Sequence, residues 1–244
     1  MRIGGSTYSK EPFPNQLDAL REMGFDYAEI DLAYVRWQPS KLAEEAALLA
    51  KRIPLETAHF PAPRFANADL ARFVGFIEAL VPLGTTRFNL HFLEARAGPR
   101  VSPEAKISWL SDLVRAATDR GAVVTVENLD EPPSLLRRAL DEVRGLRTCL
   151  DLGHAHLDGR TDGGREYLAA LGDRLDLVHV HDNHGGHGKE GDEHLAPGKG
   201  TIDVERDVRA IRAASYDGRM TLEVFVGTPE DKKAALRKMR HWVQ

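Results

Sequence analysis

Short apolar or β-branched runs alternate with amphipathic stretches from one end of the chain to the other. The runs over 2–5, 27–32, 54–59, 86–91, 122–127, 147–151, 177–181 and 220–224 have the length and composition of strands. Helical patterns lie between and after them, over 15–23, 40–51, 67–83, 102–120, 133–143, 164–171, 204–214 and 229–242. Ser40 stands before an Ala- and Leu-rich run as a candidate cap, and Ser102-Pro103-Glu104 puts proline at a first helical position. Gly24, Pro54, Gly84, Gly121 and Gly145 separate helix from the next strand.

Strands that alternate with helices imply parallel βα units. Eight such units in 244 residues predict one (β/α)8 TIM barrel, a single α/β domain over 1–244. A doubly wound open sheet is the alternative. It would usually carry a glycine-rich phosphate loop after the first strand, where this chain reads GGSTYSKEPFP. The longest loop is expected at 182–200, DNHGGHGKEGDEHLAPGKG, and a loop of that length in a compact domain is usually functional or disordered.

Composition narrows the picture further. Hydrophobic residues make up 42% and charged residues 29%, with a net charge of −4. Acidic balance with dispersed cations lacks the broad basic face of a nucleic-acid binder. A small molecule is therefore expected ahead of a nucleic acid, for which a local basic groove would still be needed. One cysteine, Cys149, excludes an internal disulfide and fits a reducing compartment. No signal-peptide pattern or long apolar run is present, and the expected location is the cytoplasm.

The candidate chemistry lies where the strands end. His59 ends the third, His91 the fourth and Glu127 the fifth; Asp151 ends the sixth, with His154 in the turn beyond. His179 and His181 lie on the seventh and Glu223 near the end of the eighth. In a parallel barrel these ends share one mouth, where such enzymes place their sites. Each residue alone has a duller reading: a hydrogen-bonded structural histidine, half of a buried ion pair, or, for Asp151-x-x-His154, a helix cap. His184 and His187 read as parts of a solvated loop. Jointly the set calls for a cation, because gathering several ionisable groups at a barrel mouth is costly without one. Mixed imidazole and carboxylate donors suit zinc, manganese, cobalt or iron better than calcium. His179 and His181, two apart on a strand, face the same side, and one is expected to hold metal while the other meets substrate or a second ion.

At these residues the sequence resembles the xylose isomerase-like barrel superfamily, or AP endonuclease family 2. It includes sugar isomerases, ketose 3-epimerases, inosose-processing enzymes and endonuclease IV. Resemblance to the epimerase branch implies metal ligands Glu127, Asp151, His179 and Glu223. It prefers His179 to His181 because an acidic residue, Asp182, follows at three positions, and it gives His154 a substrate contact. Resemblance to endonuclease IV, which binds three zinc ions, adds His59, His91 and Asp192-x-His194, the last before a Gly-x-Gly turn. The resemblance therefore implies a metal-dependent isomerase or epimerase of a sugar, sugar phosphate or cyclic polyol. Glu127 and Glu223 would exchange the proton beside a metal-polarised carbonyl. The alternative is a phosphodiester hydrolase with up to three metal ions, and a barrel that binds without turnover is a third option. Among the additional candidates for metal or substrate stand His59, His91, His154, His181, Asp182, Asp192 and His194.

Overall fold

The computed structural model describes residues 1–8, 11–33, 39–92, 101–129 and 131–244. Eight parallel strands close into a barrel in sequence order: β1 (Arg2–Thr7), β2 (Tyr27–Asp31), β3 (Leu55–His59), β4 (Arg87–His91), β5 (Val123–Glu127), β6 (Arg147–Asp151), β7 (Leu175–Val180) and β8 (Arg219–Leu222), with β8 paired back to β1. The outer ring consists of α1 (Phe13–Met23), α2 (Pro39–Leu49), α3 (Asn67–Leu80), α4 (Pro103–Thr118), α5 (Pro133–Glu142), α6 (Gly163–Leu171), α7 (Val204–Ala213) and α8 (Pro229–Trp242). The expected (β/α)8 barrel is the observed one. Strand and helix limits shift by up to three residues, most at the end of α3, which stops at Leu80. Two single-turn helices, Leu152–Ala155 and Gly188–Gly191, are too brief for a periodic pattern to reveal. Most of the loop after β2 lies outside the described residues.

Local chemistry explains the helix ends. Ser102 accepts the Ala105 N–H at the start of α4, and Thr228 with Asp231 forms a capping box on α8. Ser40 falls inside α2, which begins at Pro39, because proline already supplies a helical φ at the first position. In α7, Val204, Val208 and Ile211 return every three or four residues and are buried, while the opposite face carries charge.

Strand alternation divides the barrel into two environments. Ile30, Ala58, Phe88, Val124, Val126, Val178 and Leu222 are buried and belong to the apolar core beneath the helices. Their neighbours on each strand are polar and equally buried: Glu29, Thr57, Asn89, Thr125, Glu127, Asp151, His179 and Thr221. Tyr27 on β2 reaches Thr221 on β8, with 2.9 Å between hydroxyl oxygens, across the interior. One set of alternate side chains on β2 to β8 thus points into the barrel, and its polar members toward the strand ends carry the site. Among the described residues no helix is long and apolar enough to cross a membrane.

Candidate metal centre

The strand ends bring the expected donors together. Register places His91 beside Glu127, and Asp151 beside His179. Glu127, Asp151, His179 and Glu223 form one group of donor atoms, all within 4.8 Å of one another. His179 Nδ1 is its hub, at 3.1 Å from Glu127 Oε2, 3.3 Å from Glu223 Oε1 and 3.9 Å from Asp151 Oδ2. His59, His91 and Glu127 form a second group. There His59 Nε2 lies 3.4 Å from Glu127 Oε2, and His91 Nε2 lies 3.3 Å from Oε1. His154, His181, Asp192 and His194 form a third, centred on Asp192 Oδ1. His194, His154 and His181 approach that oxygen with Nε2 at 3.1, 3.4 and 3.8 Å. The groups touch, since His154 Nδ1 is 3.1 Å from Glu127 Oε1 and His181 Nε2 is 3.1 Å from Asp151 Oδ1.

Hydrogen bonds outside the groups set the direction of each ring. Nδ1 of His59 contacts the Phe60 carbonyl at 2.8 Å, Nδ1 of His154 the Asn128 carbonyl at 3.0 Å, and Nδ1 of His194 the Glu223 carbonyl at 3.0 Å. A ring that donates Nδ1–H to a carbonyl turns the Nε2 lone pair the other way, here into the centre. Asn89 donates to Glu127 Oε2 and accepts from Thr125, which fixes the carboxylate plane. Asn128 bonds both backbone groups of Asp151, at 2.9 Å each. Asp151 Oδ1 also accepts the His154 N–H at 2.7 Å, so the residue caps its short helix and faces the first group as well.

A cation answers two features that the protein groups leave open. His91 Nε2, Glu127 Oε1, Asp151 Oδ2, His179 Nδ1, His181 Nε2 and Asp192 Oδ1 are buried without a hydrogen bond of good geometry. Such atoms are costly unless a ligand uses them. Carboxylate charge is also in surplus. Burial pulls the His59 pKa down, yet the adjoining Glu127 raises it to about 9. Burial likewise opposes charge on His154, and Asp151 with Asp192 pushes its pKa well up. Burial would raise the Glu223 carboxyl, but His179 draws it down to about 2. Donor atoms in each group are close enough for one ion, with bonds of about 2.0–2.2 Å, to be reached by small side-chain adjustments. The residues therefore fit a divalent cation.

Above the donors opens a cavity of about 500 Å³. Tyr8, Phe60 and Phe225 give it apolar walls, and Glu223, Asp192 and Lys189 give it polar ones. Glu127 is fully buried beneath. His194, at a left-handed φ of 50°, stacks on His181 (3.9 Å between centroids) and Phe225 (4.4 Å). Gly153 makes room for this arrangement, because a Cβ there would lie 2.0–2.3 Å from the His181 ring.

Not every expected residue joins. Asp182 was a candidate for metal or substrate, but its carboxylate turns to the backbone. Oδ1 accepts the N–H of Asn183 and Ile202, and Oδ2 those of Gly198 and Gly200. It braces the 182–200 loop, which also pairs with it through the Asp182–Leu195 bridge. His184 and His187 are exposed and face Glu193 and Asp158, as a solvated loop implies. Two buried residues escaped the sequence reading. Asn89 sits one turn of the alternation before His91, and Glu29 contacts His179 from inside β2. A charged or amide residue at the inward position of an apolar strand was the available signal.

A family model described as xylose isomerase-like TIM barrel matches residues 17–244. The uncharacterized protein MJ1311 of Methanocaldococcus jannaschii is 32% identical over 125 residues, which are 48% of this chain and 41% of that protein. The match thus spans about two fifths of the relative's length. Similar solved structures include a D-tagatose 3-epimerase-like protein, 22% identical, with a TM-score of 0.81 over 100% of this chain and 98% of that one. Another is 3-keto-D-glucoside 4-epimerase, YcjR, from E. coli, 21% identical, with a TM-score of 0.75 over 99% of each chain.

Proposed function

The chain belongs to the xylose isomerase-like TIM barrel family, and we propose that it is an enzyme that holds more than one divalent ion and acts on a small carbohydrate-bearing molecule. One observation carries this reading: Glu127 is shared. Its Oε2 faces His59 and His179, and its Oε1 faces His91 and His154. A carboxylate with imidazoles at both oxygens is placed to bridge two ions. Glu127, Asp151, His179 and Glu223 would hold one, His59 and His91 with Glu127 a second, and His154, His181, Asp192 and His194 a third. When bound, such ions supply Lewis-acid polarisation and neutralise developing negative charge.

Between the two reactions in view, hydrolysis of a phosphodiester suits the interior better. Epimerisation by proton exchange on opposite faces of a carbon beside a carbonyl uses two bases that face the substrate. Glu223 lines the cavity, but Glu127 lies below it, closed in by imidazoles and by Asn89. Glu127 then serves by holding charge, and Glu223 is the carboxylate that can meet a substrate proton. Tyr8, Phe60 and Phe225 offer flat apolar faces to a sugar ring or base. The net charge of −4 favours a small diester over a nucleic acid.

The second reading is a metal-dependent isomerase or epimerase of a sugar, sugar phosphate or cyclic polyol. Fold likeness to the two epimerases supports it, as does Glu223 on the cavity wall. Elemental analysis of protein supplied with Zn²⁺ or Mn²⁺ separates the two. Release of p-nitrophenol from bis(p-nitrophenyl) phosphate and deuterium uptake by ketoses from heavy water report the chemistry. We expect two or more ions per chain, one fewer in Asp192→Ala, and diester hydrolysis. A single ion together with deuterium uptake would replace this reading by the isomerase.

A further inference from the structure

His179 differs from the other histidines of the centre in the nitrogen it turns inward. His59, His154 and His194 place Nδ1 on a backbone carbonyl and Nε2 toward the donor groups. In His179 it is Nδ1 that faces Glu127, Glu223 and Asp151. An imidazole that offers a lone pair at Nδ1 must carry its proton at Nε2. That nitrogen lies 3.2 Å from Glu29 Oε1 and 3.3 Å from Glu29 Oε2.

Glu29 has little other reason to be there. It is fully buried on β2, and among the described residues His179 is its one ion-pair partner. A buried carboxylate without an Arg or Lys is expensive, and an apolar residue at this position would remove the expense. What the carboxylate gains is command of the imidazole. It accepts Nε2–H, holds the ring plane, and makes Nδ1 a stronger donor.

We propose that Glu29 is a positioning residue that fixes His179 in the Nε2–H tautomer and so strengthens the metal site of Glu127, Asp151, His179 and Glu223. This rests on reading that group as a metal site, in either reaction. Carbonyl acceptors serve His59, His154 and His194; among the described rings of the centre, only the strand-buried His179 has a carboxylate on the nitrogen turned away from the donor groups.

Glu29→Gln tests the assignment, since the amide keeps the shape but can donate to Nε2 and trap the opposite tautomer. Zn²⁺ affinity, measured on the full chain by competition with a chromogenic chelator, should fall roughly 10–100-fold for the ion of this group. In a His179→Ala background the same change should leave affinity as it was. Equal Zn²⁺ affinity of Glu29→Gln and the unaltered chain would overturn the proposal. If the unaltered chain bound no Zn²⁺, the metal reading itself would fall instead. Should Glu29→Gln not fold, ¹⁵N-histidine spectra of the unaltered Zn²⁺-loaded chain decide alone. His179 should be protonated at Nε2, and His59, His154 and His194 at Nδ1. A proton on Nδ1 of His179 would end the proposal.

Discussion

The first and third donor groups are built from similar side chains by different means. Glu127, Asp151, His179 and Glu223 stand on or just past strands whose ladders fix them on both sides. Asp192 and His194 come from the 182–200 loop, whose shape rests on Asp182 and four backbone N–H groups. His154 and His181, from strand-adjacent turns, complete the loop group. The barrel thus makes one group rigid by construction and the other rigid only through a buried brace. The strand-borne group should keep its ion under changes that empty the loop-borne one.

The sharpest attack on this contrast is at the residue both sides depend on. Glu127→Gln should abolish turnover, by roughly 100-fold or more, and lower metal content by more than one ion with the fold retained by circular dichroism. Loss of only one ion would mean that Glu127 does not bridge. Next comes Asp182→Ala, which leaves four buried N–H groups without their charged acceptor. It should cost about 3 kcal/mol in denaturant unfolding and release the loop-borne ion while the strand-borne one stays. Equal loss from both groups would erase the distinction drawn here.

A smaller effect is expected from Gly153→Ala. The added methyl must displace the His181 ring, which predicts weaker binding at the loop-borne group and about 1–3 kcal/mol of destabilisation. Unchanged metal content with unchanged stability would show that His181 is not held where its neighbours need it. Chelation tests the contrast without mutation: graded EDTA should remove the loop-borne ion first, with a stepwise fall in Tm. His184→Ala and His187→Ala mark the lower limit. Both rings are exposed, and neither change should alter metal count or stability by more than about 0.5 kcal/mol.

Much of the centre was legible because a strand's alternation is written in its residues. FNLH and VVTVE announce an apolar face toward helices and a polar side chain at the end, and a closed parallel barrel must gather such ends. His154, His181, Asp192 and His194 were each legible as candidates for metal or substrate, but not that the four share one group. That depended on Gly153 and on the stacking of His181 against His194, contacts between segments far apart in sequence. Asp182 shows the opposite case. Its position suggested a ligand, but loop amides nearer than any donor group took both oxygens.

By itself the sequence determined the barrel and the chemical types at its mouth, because periodicity and strand-end placement are local properties of the chain. Only the tertiary structure decided that Glu127 is shared, that Glu29 stands behind His179, and which nitrogen of each imidazole faces inward. Those choices depend on distances of about 3 Å between side chains from different strands. No spacing along a single chain encodes them, because ring orientation is set by hydrogen bonds that exist only once the barrel has closed.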